Sequence, residues 1–209
     1  MVAGGARGKP PEPAGEPRFR CKGNVYVGLL QHIDRAVPGG LDAALDGADA
    51  ELRAFASQQF LAASWYDALR IAPLGDAAAF ASGVPYTQLM SDFGAAQAER
   101  DIRGVYQVLL RLASPAMIVE RLPRAAKQYF DFVTSELLTR PARSPSDLLV
   151  TGVPRELAPV YLLVTEPFLR RALTLAGAKD VEITVSKLET DARADGAPAV
   201  RFTRHIAWR

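Results

Sequence analysis

Apolar positions recur every three or four residues through the first half of the chain, and after Phe130 several stretches alternate apolar and polar instead. In Val25–Val37 the side chains of Val25, Leu29, Leu30, Ile33 and Val37 fall at helical spacing, and Pro38-Gly39-Gly40 stops the run. Shorter helical pieces follow at Leu41–Leu45, Asp49–Leu61 and Asp76–Ala81, with Trp65, Tyr66 and Ile71 in a packed connector. The strongest helical signal covers Pro85–Leu112. Tyr86, Leu89, Met90 and Phe93 form one stripe there, and Ile102, Val105, Tyr106, Leu109 and Leu112 continue it past a polar break at Glu99-Arg100-Asp101. Gly94 and Ala98, four apart, share a face and permit the close approach of another backbone. Ser114-Pro115 has the form of an N-cap and first-turn proline, and Pro123 is expected to open one more helix through Tyr129.

Beyond that point the period shortens. Phe130, Phe132 and Thr134 alternate with Asp131, Val133 and Ser135, as in a strand, and Leu148–Val153 reads as a second one. Arg155–Ala176 is predicted helical, with Pro159 near its start, Pro167 as an internal kink and Gly177 as the cap. Val181–Leu188 and Val200–Trp208 alternate again, the latter placing Val200, Phe202, Ile206 and Trp208 on one face. The expected fold class is α+β: a helical N-terminal half, then a four-stranded, mostly antiparallel sheet (strand, strand, helix, strand, strand) packed on the long helix.

Composition sharpens this in a few respects. At 209 residues, 49% hydrophobic and 23% charged, the chain has enough material for one domain with a substantial core. Residues 1–21 are rich in Pro and Gly and are expected to form a disordered tail, leaving 22–209 as a single domain. Residues 1–20 carry four basic and two acidic side chains, which accounts for the whole net charge of +2. The neutral remainder argues against a nucleic-acid partner, which calls for a basic face. The apolar runs are too short for a membrane span, and the single cysteine forms no internal disulfide. A cytoplasmic location follows as the expectation.

Candidate chemistry is sparse. Ala3–Pro10 resembles a phosphate-binding loop superficially, but Ala3 and Pro10 occupy positions that require Gly and Ser or Thr. His32 and His205 are the only histidines; either could ligate haem iron or act as a base, and a lone histidine is more often plain surface or hydrogen-bonded structure. No serine lies in a nucleophile elbow. Glu99 and Asp101 flank Arg100 in either a buried polar network or, more often for such a cluster, a solvated or salt-bridged break. Arg121, Arg124 and Lys127 offer a face for phosphate or an acidic partner, whereas Arg170 and Arg171 suit a helix C-terminus.

Gly94, Ala98, Asp101, Gly104 and Tyr106, with Leu109-Leu110, Ser114-Pro115, Pro123 and Tyr129, resemble the signature of a myxobacterial paralogous family of unknown function. That family is similar to the 4-vinyl reductase domains, and through them to haem nitric-oxide-binding domains and Bet3-type subunits of tethering complexes. The resemblance spans roughly Lys22 to Arg209 and implies helices, two strands, a helix and two more strands, used by the relatives to hold hydrophobic ligands and often to dimerise. The paired cysteines that vinyl-reductase-type domains tend to carry near the final hairpin are missing from Glu189–Ala199. No cysteine-bound metal is therefore expected, and neither histidine matches a haem-ligating motif, so no cofactor is expected.

Three readings follow. The first is a non-catalytic sensor or ligand-binding module holding an apolar small molecule, with Phe93, Tyr106, Tyr129, Phe132 and Tyr161 as lining residues. These aromatics serve equally as ordinary core. The second is a protein-interaction scaffold that forms a homodimer, or meets another protein, through the Gly94/Ala98 face. The third is an enzyme of tetrapyrrole reduction, for which the sequence supplies no donor site or acid–base pair.

Overall fold

The computed structural model describes residues 17–103, 114–140, 142–193 and 195–209. Strand β1 (Arg20–Lys22) leads straight into helix α1 (Gly23–Ala36), followed by α2 (Gly40–Leu45) and α3 (Ala50–Ala56). Strand β2 (Trp65–Asp67) pairs antiparallel with β1, so the expected connector at Trp65-Tyr66 is half of a small ribbon. A 3-10 turn at Ala68–Arg70 runs into α4 (Ile71–Ser82), and α5 begins at Tyr86 and is described through Arg103. On α1, Val25, Tyr26, Leu29 and Ile33 are all buried, which is the stripe that the sequence spacing requires.

Helix α6 (Pro115–Tyr129) opens as the sequence predicts, with Met117 N donating to Ser114 Oγ at 3.3 Å and Pro115 in the first turn. It then runs through Pro123, so no separate helix starts there. A proline inside a helix costs on the order of 3 kcal/mol; the packing of Ile118, Val119, Leu122 and Ala126 against the core holds the helix together regardless.

The larger sheet comprises β3 (Thr134–Leu137), β4 (Ser146–Pro154), β5 (Glu182–Val185), β6 (Glu189–Ala192) and β7 (Pro198–Ala207), with helix α7 (Ala158–Leu175) between β4 and β5. Every pairing is antiparallel. β4 covers one edge of β7, while β5 and β6 share the other, β5 against residues 204–207 and β6 against 198–201. Between Val150 and Val153 the β4–β7 register shifts, and Gly152 takes φ +77° there, a conformation open to glycine at little cost.

Three expectations need correction. The sheet has five strands, not four: β6 is largely exposed and lacks an apolar face, so alternation gives no sign of it. The strand expected from Phe130 begins only at Thr134, and Phe130 makes an isolated bridge to Cys21 instead. The folded part also starts earlier than residue 22. Phe19 is 2% exposed and packs edge-on to Phe132, and Cys21 is fully buried in β1.

Helix α5 lies against α7 so closely that a Cβ on Gly94 would sit 2.2 Å from the Val164 carbonyl oxygen. Ala98 is fully buried on the same side. The small-residue face expected to meet a second subunit is therefore occupied by the chain's own α7. Among the described residues no helix is long and apolar enough to cross a membrane.

Candidate functional site

The inward face of the sheet, α7, α5 and α6 converge on an apolar cavity of about 90 Å³. α5 contributes Phe93 and Gln97; α6 contributes Leu122, Ala125, Ala126 and Tyr129; α7 contributes Tyr161, Val164, Thr165, Phe168 and Leu169. Val25 of α1, Phe130 and Arg204 of β7 complete the lining. Phe93, Tyr129 and Tyr161, singled out from the sequence, thus meet around one space. Phe132 stands one layer away, on a void of about 20 Å³ that shares Phe93, Tyr161 and Val164 with the larger cavity. Tyr106 lies outside the described residues.

At one end a polar network closes the space. Asp101 accepts from Asn24 Nδ2 at 3.1 Å, from Gln97 Nε2 at 2.9 Å and from the Tyr129 hydroxyl, and Arg100 donates to Asn24 Oδ1 at 2.7 Å. Glu99 faces the other way and accepts from Arg171 Nε at 2.7 Å. The polar break in the long helix is thus a part-buried network at Asp101 and a half-exposed, helix-to-helix salt bridge at Glu99.

Arg204 is the residue the sequence pattern should have flagged. It occupies an inward position of β7 between Phe202 and Ile206, and it is only 4% exposed. Its Nη2 donates to Thr165 Oγ1 at 2.8 Å, and its Nε–H is buried without an acceptor among the described residues. Burial holds its pKa below the usual arginine value, and burial likewise pushes the Tyr161 phenol up. The signal was legible: a charge standing where the period of two demands an apolar side chain.

Outside this cavity, an apolar groove of about 290 Å³ shares Leu122, Ala125, Tyr129 and Phe168 with it and carries Arg121 and Arg124 on its rim. On α6, Arg121, Arg124 and Lys127 are all exposed. Arg170 is held by Glu166 at 3.0 Å and donates to the Val181 carbonyl, a structural role.

No family model matches the chain, and no curated protein matches it. Solved structures do. A haem protein studied for redox tuning through porphyrin distortion aligns over 89% of this chain and 99% of its own, with TM-score 0.62 and 8% identity. The unliganded Fe(II) H-NOX protein from K. algicida aligns over 90% and 96%, with TM-score 0.60 and 14% identity. An oxygen-binding H-NOX domain related to soluble guanylate cyclases aligns over 90% and 95%, with TM-score 0.58 and 11% identity. The chain has the α+β fold of H-NOX domains, and at these identities the likeness is one of fold.

Haem would need an axial ligand, ordinarily His, Cys, Met or Tyr. His205 is half-exposed on the outward face of β7, where Nδ1 lies 2.7 Å from Asp147 Oδ1. His32 lines a separate polar cleft with Gln31, Arg35 and Arg100, and burial lowers its pKa. Cys21 is sealed in β1, where burial pushes its thiol far up. Met90 is fully buried against Gly75, and Met117 is on α6 away from the lining. Of the two lining tyrosines, Tyr129 is bonded to Asp101 and Tyr161 is held protonated by burial. Residues 104–113 contain no His, Cys or Met, and their one tyrosine, Tyr106, lies outside the described residues. Among the described residues, the donors around the cavity do not fit a resident haem, and its volume of about 90 Å³ falls below the roughly 300 Å³ at which drug-sized ligand pockets begin. Nor do three His, Cys, Asp or Glu side chains gather into a metal site among the described residues.

Proposed function

We propose that the chain is a non-catalytic, sensor-like binding module whose cavity between α5, α6, α7 and the sheet holds a small apolar molecule without haem. The observation that carries this reading is the cavity itself: an apolar space of about 90 Å³ bordered by aromatic rings, with a few polar groups converging on it. That is the usual makeup of a small-molecule site. Engineered cavities of about 150 Å³ lined by apolar side chains admit benzene, so this space together with the adjoining groove, which shares Leu122, Ala125, Tyr129 and Phe168, suits a slender ligand of about six carbon atoms. Phe93, Tyr129 and Tyr161 serve as walls, and Phe132 supports them from the adjoining layer. The second function considered, dimerisation through Gly94 and Ala98, loses its motivation because α7 occupies that face.

Native mass spectrometry of the protein, compared with its denatured mass, tests the reading together with a titration by hexanol followed by amide chemical shifts. Expected are saturable shifts confined to the cavity lining, and their loss in Ala126→Leu, which fills the space. Absence of saturable shifts and of any added mass would sink it.

A further inference from the structure

We infer that the cavity takes a small carboxylate with an apolar body, its charged end on Arg204. This rests on the reading of the cavity as a ligand site and adds the chemical class. Arg204 lies in the middle of the sheet, opposite Leu148 of β4 and Val185 of β5, and lines the cavity with its side chain 4% exposed. Among the described residues no carboxylate comes within 4.0 Å of it. The acid that acts on it electrostatically, Glu166, is engaged with Arg170 at 3.0 Å. Outside the described residues, 104–113 contain no Asp or Glu, and the carboxylates are Glu12 and Glu16 of residues 1–16. Its remaining company includes the Tyr161 phenol, which acts on it electrostatically, the Thr165 hydroxyl and the face of Phe202, whose centroid is 5.7 Å from the guanidinium carbon.

A guanidinium stays charged under all ordinary conditions, so it cannot escape the cost of burial by losing its proton. Packing alone would favour an aliphatic residue at this position, since a buried charge without a partner is a net loss. A planar carboxylate supplies what is missing, because it accepts the free Nε–H and neutralises the charge in surroundings that strengthen the bond. The aromatic and aliphatic walls select an apolar body for the rest of the ligand. Arg121 and Arg124 on the rim of the adjoining groove favour the approach of an anion, and the Asp101 carboxylate beside them is already saturated by its donors.

Isothermal calorimetry of the full chain with hexanoate and hexanol tests the assignment. Expected is hexanoate at least tenfold tighter than hexanol, as a charge-assisted hydrogen bond implies, with the preference abolished in Arg204→Met and Arg204→Gln. Equal or tighter binding of hexanol overturns the carboxylate while leaving the apolar site standing. Binding of neither overturns the site and this inference with it. A hexanoate preference that survives in both variants overturns Arg204 as its partner. If neither variant folds, the wild-type comparison of acid with alcohol still decides.

Discussion

Neighbouring residues of α1 belong to two aromatic clusters built on different principles. Tyr26 is the centre of the first, with Phe60 at 4.8 Å, Phe55 at 5.1 Å and Tyr66 at 6.3 Å between ring centroids, and its hydroxyl donates to the Asp67 carbonyl. Val25 borders the second. There Phe130 lies 5.3 Å from Phe132 and 5.4 Å from Tyr161, and Tyr129 lies 5.8 Å from Phe168. The rings of the first close on one another and satisfy the polar atom at their centre. Those of the second stop short of α5 and β7, leaving a void and a guanidinium with an unused donor. Aromatic content is therefore no guide to which cluster is core and which is pocket; filled volume and satisfied polar atoms separate them.

The largest expected effect tests the filled cluster. Tyr26→Ala should lower stability by about 3–5 kcal/mol in urea denaturation, because a fully buried ring leaves a cavity that closely packed neighbours cannot fill. A loss below about 1 kcal/mol would mean that this cluster, too, is loosely packed. In the open cluster the sign reverses: Arg204→Met should raise the stability of the ligand-free protein by about 1–3 kcal/mol, since it removes a buried, unpaired charge. A destabilised Arg204→Met variant would show that the guanidinium is already compensated within the chain, and the contrast between the clusters would dissolve.

Gly94→Leu probes the wall that the cavity shares with α5. The new side chain meets the Val164 carbonyl, so stability should fall by about 1–3 kcal/mol while the mass from light scattering stays that of the wild type. A change of oligomeric mass would instead restore the small-residue face as a subunit contact. Ala126→Leu should move stability by less than about 1 kcal/mol, because the added carbons enter existing space rather than a filled core. Smallest of all is the expected response to haemin, whose absorbance should show no sharp Soret band on addition of the protein. A sharp band that vanishes in His32→Ala or His205→Ala would reverse the fit argued above.

Local chemistry was legible from the sequence wherever the signal is local. The stripe through Val25, Leu29 and Ile33, the Ser114-Pro115 cap and the alternation through Val200, Phe202 and Ile206 each depend on spacing within a few residues, and each appears where expected. Pro123 misled, because tertiary packing of α6 outweighs the lost backbone bond. Phe19 and Cys21 fall inside the expected tail for the same kind of reason: their strand exists only because β2 and Phe132, far along the chain, meet them. Strand β6 has no apolar face, so its place is set by its partners: the backbone of β7, Arg201 donating to Glu189 at 2.9 Å, and Gly152 N donating to Asp191 at 2.7 Å.

The sequence by itself determined the order of the main helices and of strands β3, β4, β5 and β7, though not β1, β2 or β6, as well as the neutral body and the poverty of recognisable catalytic motifs, since these follow from composition and from periods of two and of three to four residues. It also supplied the aromatic residues but could not say which of them would border a space, because voids arise where several elements fail to interdigitate. Only the tertiary structure decided that Gly94 makes its close approach to α7, that Asp101 gathers donors from α1, α5 and α6, and that Arg204 is buried with no carboxylate of the described residues beside it. Each of these is a relation between residues distant in sequence, and what fixes it is the packing of one element against another.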